Sequence, residues 1–256
     1  MADDSPLREA LHPAAPPAVP HPGRGLSGAA LKWIALVLMV LDHLELLFPA
    51  VFPPLFHWAG RLSAPLFYFL LAEGFWRTHS RGRYLLRLYL TSAGCELLFR
   101  ALTHGERALR MNIFAALFWV FLLGTAAELV RALFARRAYL RSGLVVCGAA
   151  GVVLLLSLLP QTALVRAFLP SPLFVEGGLP FLLFGLGLLL CRGERRALVV
   201  LFLLFSGCWL LIRPVQALMV LALPLILCYN GERGRQSKGF FYLFYPAHLL
   251  LLYFIG

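Results

Sequence analysis

Asp42 and His43 sit side by side in an otherwise apolar stretch that runs from Lys32 to Phe48. A helix starting near Leu31 rises ~1.5 Å per residue, which sets the two side chains ~16–18 Å along its axis. A hydrocarbon core is about 30 Å thick, so an acid and an imidazole fall near its middle. An ionisable group there costs at least ~2.5–3.5 kcal/mol, which a partner or a water-filled cavity must offset. A single polar residue at that depth is as well explained by a hydrogen bond locking two helices together. An acid–imidazole pair favours chemistry: His43 is a candidate general base or transient acyl carrier, and Asp42 a candidate orienting group. Neighbours on a helix point ~100° apart, so the two do not face the same partner.

The imidazole that Asp42 orients can instead be His248, in Phe244-Tyr-Pro-Ala-His248. Pro246 cannot donate a backbone hydrogen bond and should kink its helix. The kink either opens space for a site or is a packing feature with His248 bonded to a carbonyl. Glu45 shares the helical face of Asp42, and His57 and Arg61 follow in the next connection.

The elements that must position these residues are membrane helices. The chain has 256 residues, 61% hydrophobic and only 14% charged, against about 25% charged in soluble domains. The net charge of +11 is carried by arginines between apolar runs. That is the pattern of cytoplasmic loops, not of a nucleic-acid-binding surface, where basic residues interleave with aromatics on a soluble domain. The cysteines at 95, 147, 191, 208 and 228 form no C-x-x-C pair and no Cys/His cluster of zinc spacing, so neither a disulfide nor a bound metal is expected.

An all-α polytopic bundle follows. Residues 1–28 read as a disordered, Pro-rich tail and residues 29–256 as one transmembrane domain of about nine helices. The apolar runs are 29–48, 54–76, 83–103, 111–134, 140–159, 175–191, 196–212, 214–229 and 239–256. With the N-terminus inside, seventeen of the 23 Lys and Arg residues fall on the inner side. The bias predicts an N-in, C-out protein of the cell membrane.

In that frame Arg61, Asn112 and Glu176 lie toward the outer side, where they can line an acceptor site. The inner loop Tyr229-Asn-Gly-Glu-Arg-Gly-Arg-Gln-Ser-Lys238 combines glycines with cations. Its N–H groups and the residues Tyr229, Asn230, Arg233, Arg235 and Lys238 can receive a phosphate-bearing donor such as coenzyme A. The other reading is an ordinary positively charged turn.

Several segments together resemble the TraX family of integral-membrane proteins. They are Leu31-Lys-Trp-Ile-Ala with Met39-Val-Leu-Asp-His43, Gly60-Arg-Leu-Ser-Ala-Pro-Leu-Phe67, Leu71-Ala-Glu-Gly-Phe75, Tyr84-Leu-Leu-Arg-Leu88, Met111-Asn-Ile, Glu176-Gly-Gly, Tyr229-Asn-Gly-Glu-Arg-Gly234 and Phe241-Tyr-Leu-Phe-Tyr-Pro-Ala-His-Leu249. Glu45 and Glu176 depart from the family pattern. The resemblance implies an acetyltransferase that uses acetyl-CoA as co-substrate and modifies a peptide N-terminus, as of pilin, or another peptide, glycan or lipid. A proton- or cation-coupled transporter is the alternative, since midplane Asp and His residues also bind ions. Transporters often carry internal two-fold repeats, and this chain shows none. A membrane scaffold that only holds a partner is a third reading.

Overall fold

The structure, a computed structural model, describes residues 25–105, 109, 111–191, 194–235 and 238–255. Most of the expected tail, with Arg107, Arg110, Arg192 and the side chain of Lys238, lies outside the described residues. The described chain is all-α, with one isolated bridge between Leu26 and Tyr229.

The helices follow the apolar runs. They are α1 (Gly28–Leu47), α2 (Leu55–Gly60), α3 (Ser63–Arg77), α4 (Arg81–Leu102), α5 (Ile113–Ala135) and α6 (Tyr139–Leu158). After these come α7 (Ala163–Phe168), α8 (Gly178–Leu190), α9 (Arg195–Ile212), α10 (Pro214–Ala217), a 3₁₀ turn (Leu218–Leu221), α11 (Ala222–Leu227) and α12 (Lys238–Ile255). Three of them, α5, α6 and α9, are long and apolar enough to cross a membrane.

Two runs are not single helices. The run 54–76 divides into α2 and α3, and Pro65 is the reason. Lacking an N–H, it cannot bond the carbonyl of Arg61, and it is tolerated only in the first turn of a new helix. The α-helical ladder resumes with Leu66 N bonding Leu62 O. The run 214–229 likewise passes through a 3₁₀ turn before α11.

The chain forms two compact units. One comprises, among the described residues, Glu73–Ala101 and those of Arg110–Leu189. In it Gly124 lets α5 meet α8 closely, since a Cβ there would come 2.5 Å from Leu189 Cδ1. The indole of Trp119, buried in α5, donates to Pro170 O at 2.8 Å. Buried Glu96 of α4 pairs with Arg166 of α7 at 2.8 Å. Glu73 and Arg77 pair across one helical turn at 2.9 Å. Almost all of the apolar surface of α6 is exposed.

The other unit comprises the described residues of Pro17–Ala72, Leu102–Leu109 and Leu190–Gly256. Its centre is α1. The Ser27 hydroxyl caps that helix by accepting from Ala30 N at 3.2 Å. Leu31, Ala35, Met39 and His43, spaced four apart, form its buried stripe. Ser63 Oγ donates to Ala35 O at 2.8 Å, seating α3 on α1.

Helix α12 packs along α1 in the same direction. Lys32 lies 4.2 Å from the Phe241 ring centroid at one end, and His43 meets His248 further along. At the start of both helices the 228–234 loop is tied to α1. Leu26 and Cys228–Asn230 exchange backbone bonds, and the carbonyls of Glu232 and Arg233 accept from Gly28 N and Ala29 N at 2.8 and 3.0 Å. These carbonyls satisfy donors that a helix N-terminus otherwise leaves open.

Candidate functional site

Two polar constellations flank α1, on faces about 100° apart. The first is carried by the buried stripe. One step of four residues beyond Met39, the stripe delivers His43 to α12. His43 Nδ1 lies 2.8 Å from His248 Nε2, and His248 Nδ1 lies 2.8 Å from Phe244 O. The two imidazoles are only 4% and 7% exposed. Their planes are 16° apart, and Phe244 continues the stack beyond His248 at 5.0 Å. Tyr245 stands edge-on to both imidazoles. Among the described residues the other nitrogen of His43, Nε2, has no hydrogen-bond partner.

The second constellation lies on the α2 side. Asp42 receives Arg61 Nη2 on both carboxylate oxygens, at 2.6 Å for Oδ2. His57 Nδ1 is 2.9 Å from Asp42 Oδ1 and 3.8 Å from Glu45 Oε2. Arg61 Nε donates to His57 O at 3.3 Å, and Nη1 donates to Gln216 Oε1 at 3.2 Å. The break before α3 sets Arg61 at the end of α2, from where the guanidinium reaches back to α1. Gly60 makes room for the carboxylate, since a Cβ there would sit 2.3 Å from Asp42 Cβ. Asp42 therefore bonds Arg61 and His57, not His248 as one sequence arrangement had it. The 100° offset separates the acid from the imidazole pair. The carboxylate's charge is met by a guanidinium, and the two histidines bond each other.

The other acceptor-side candidates lie elsewhere. Asn112 and Glu176 belong to the unit built on α4–α8, whereas Arg61 belongs to the unit built on α1. Asn112 is buried, with Nδ2 donating to Ser92 O at 2.9 Å and Ser92 Oγ at 3.3 Å. Glu176 is exposed, just ahead of the positive-φ glycines Gly177 and Gly178.

In the basic loop, Tyr229 is half-buried, with its ring edge-on to Phe69 at 5.3 Å, and Asn230 is buried. Asn230 Oδ1 accepts from Glu232 N at 2.9 Å, and Asn230 N donates to Leu26 O. Two of the N–H groups expected to converge on an anion are thus engaged within the protein. The exposed side chains of Arg233 and Arg235 remain the cationic feature of the loop. All five cysteines are free thiols, and no group of metal-ligating residues occurs among the described residues.

Sequence reasoning missed Gln216 and Tyr245. Gln216 was findable, as the one polar side chain between Pro214 and Leu227. Tyr245 was not, since it is one aromatic among many in its helix.

With membrane-length apolar helices and buried, hydrogen-bonded ionisable residues, the described chain is that of a helical membrane protein. The model of the TraX protein family matches residues 27–256. The chain belongs to the TraX family. It is also similar to the probable fimbrial assembly protein FimC, serogroup H1, of Dichelobacter nodosus, at 28% identity over 245 residues, covering 88% of this chain and 94% of that protein. No solved structure matches it.

Proposed function

We propose that this chain is a membrane-bound acetyltransferase that uses cytosolic acetyl-CoA to acetylate an amine or hydroxyl presented from the opposite side of the cell membrane. The single observation that carries the reading is the hydrogen-bonded pair of His43 and His248, buried and, among the described residues, partnered by no carboxylate. Transfer from a thioester needs a group that takes a proton as the acceptor attacks and returns it to the departing thiolate, and an imidazole does both near neutral pH. The TraX family is associated with pilin acetylation, and the Dichelobacter relative is named for fimbrial assembly. Both favour a pilus or fimbrial subunit as acceptor over a glycan or a lipid.

In this reading the 228–238 loop is cytosolic. Arg233, Arg235 and Lys238 attract the phosphates of coenzyme A, and the loop's bonds to α1 hold them at a fixed height below His43. The shared direction of α1 and α12 supports N-in, C-out, because the N-terminus and this loop then lie on one face and the C-terminus on the other. About nine spans agree with that direction. Asp42 holds Arg61 beside the acceptor path. The guanidinium, with Nη1 toward Gln216, is the donor available to a developing oxyanion. Asn112 and Glu176 are candidates for acceptor recognition.

The test is transfer from radiolabelled acetyl-CoA by the full chain in proteoliposomes, with pilin-type peptides, glycans and lipids offered as acceptors. His43→Ala is expected to lower the rate about 10²–10⁴-fold, the usual worth of a general base, and Asp42→Asn to lower it less. Wild-type rates in both folded variants would overturn the proposal. Ion uptake without any acyl donor would replace it with a transporter.

A further inference from the structure

We infer that the proton-accepting atom of this site is His43 Nε2, and that His248 is the positioning residue that keeps it bare. The role given to that atom rests on the acetyltransferase reading; the assignment of the hydrogen does not.

Phe244 O can only accept, so His248 Nδ1 donates across their 2.8 Å contact. A neutral imidazole carries one ring hydrogen. With that hydrogen on Nδ1, His248 Nε2 is an acceptor. The group 2.8 Å away, His43 Nδ1, must then donate to it. This uses the single hydrogen of His43 and leaves a lone pair on Nε2. No other arrangement of a neutral pair keeps both bonds. Turning either ring by 180° puts a C–H where a bonded nitrogen stood. Moving the hydrogen of the 2.8 Å histidine–histidine bond to His248 requires a second hydrogen on that ring. The pair therefore has one vacant proton site, and the burial of both rings leaves little room for alternatives.

The consequence for the reaction is specific. The acceptor's O–H or N–H proton passes to His43 Nε2 while its oxygen or nitrogen bonds the thioester carbonyl carbon. The C–S bond then breaks, and the coenzyme A thiolate takes the proton back from Nε2. The products are the acetylated acceptor and the free thiol, with His43 unchanged. Midway, His43 is an imidazolium whose Nδ1–H stays on His248 Nε2. His248 thus fills the place that a carboxylate takes behind a catalytic histidine elsewhere. A neutral imidazole suits that place in a bilayer, where an unpaired carboxylate is costly. The nearby acid, Asp42, is already held by Arg61.

The experiment is NMR of the full chain in lipid bilayers, with ¹⁵N,¹³C-histidine and signals assigned by single histidine substitutions. Both rings are expected as the Nδ1–H tautomer when neutral, although free histidine favours Nε2–H. Finding hydrogen on Nε2 of neutral His43 would overturn the inference whatever the enzyme does. His248→Gln offers an oxygen acceptor to His43 Nδ1 and should hold acetyl transfer within about tenfold of wild type, with the tautomer retained. His248→Leu should lose about 10²–10³-fold in kcat with little change in KM, and His43 should revert to Nε2–H. Equal rates and tautomers in the Gln and Leu variants would also overturn it. The expected tautomers in a protein without acetyl transfer would support the assignment and remove the acetyltransferase reading alone.

Discussion

Arg61 joins α1, α2 and α10 through Asp42, His57 and Gln216. Arginine suits the position because its planar fork makes several directed bonds at once, whereas an ammonium is a single point of charge. Arg61→Lys is expected to keep the charge near Asp42, lose the bond to Gln216 and cut acetyl transfer at least about tenfold, read from initial rates in proteoliposomes. Gly60 is constrained by the same cluster. A methyl there meets Asp42 Cβ, which belongs to the stem of the side chain and cannot swing aside. Gly60→Ala should therefore part α2 from α1 and destabilise the protein by ~1–3 kcal/mol, as overpacking does. A lowered midpoint of thermal unfolding in detergent would register it, and an unchanged midpoint would mean that the close approach is not needed. In the other unit, Glu96 carries a charge that only Arg166 meets among the described residues. Arg166→Ala leaves that carboxylate buried, so Glu96→Gln in the same chain should recover part of the lost stability, a coupling that a double-mutant cycle measures.

Helix positions were legible because apolar runs bounded by Pro, Gly and Arg leave the backbone few options, and α1, α4, α5, α6 and α9 start and stop within a few residues of their runs. Helix faces were not. From Leu31 to Leu41 every position but Lys32 is apolar, so no periodicity marks which side turns inward, and only packing selects the stripe Leu31, Ala35, Met39, His43. The bonds of Asp42 to Arg61 and of His43 to His248 were illegible for a related reason. Each joins residues brought together by turns whose geometry the sequence leaves open. Pro65 was the overlooked clue, since a proline inside a 23-residue run forecasts a break four residues upstream. Pro65→Ala restores an N–H able to bond Arg61 O. The expected result is a continuous α2–α3 helix, with unchanged or greater thermal stability and acetyl transfer lowered at least about tenfold because Arg61 is drawn away from Asp42. Circular dichroism and the transfer assay on one preparation check both halves. Activity at the wild-type level in a more helical protein would refute the argument that the break exists to aim Arg61.

The orientation proposed for α1 and α12 rests on the two ends of this packed pair of helices. At the start, the carbonyls of Glu232 and Arg233 cap α1, so the entrance to α1 and the basic loop share a level. At the far end, Tyr253 OH accepts from His104 N at 3.0 Å, which puts His104 at the level of the last turn of α12. The 20 residues of α1 span ~30 Å of helix, so these ends lie on opposite sides of a hydrocarbon core if α1 crosses it. In the proposed N-in orientation the Arg235 side is the cytosolic one. In a chain whose five native cysteines are replaced by serine or alanine, single cysteines at His104 and Arg235 are both at exposed positions. A membrane-impermeant maleimide added to intact cells should label the cysteine at 104 and spare the one at 235. Inverted vesicles should reverse the pattern. Labelling of both from the same side would mean that α1 and α12 do not traverse the bilayer together, and that His43 is reached from one face alone. An enzyme so placed would have to take donor and acceptor from the same compartment, and the transbilayer form of the reaction would be lost even with the histidine pair intact.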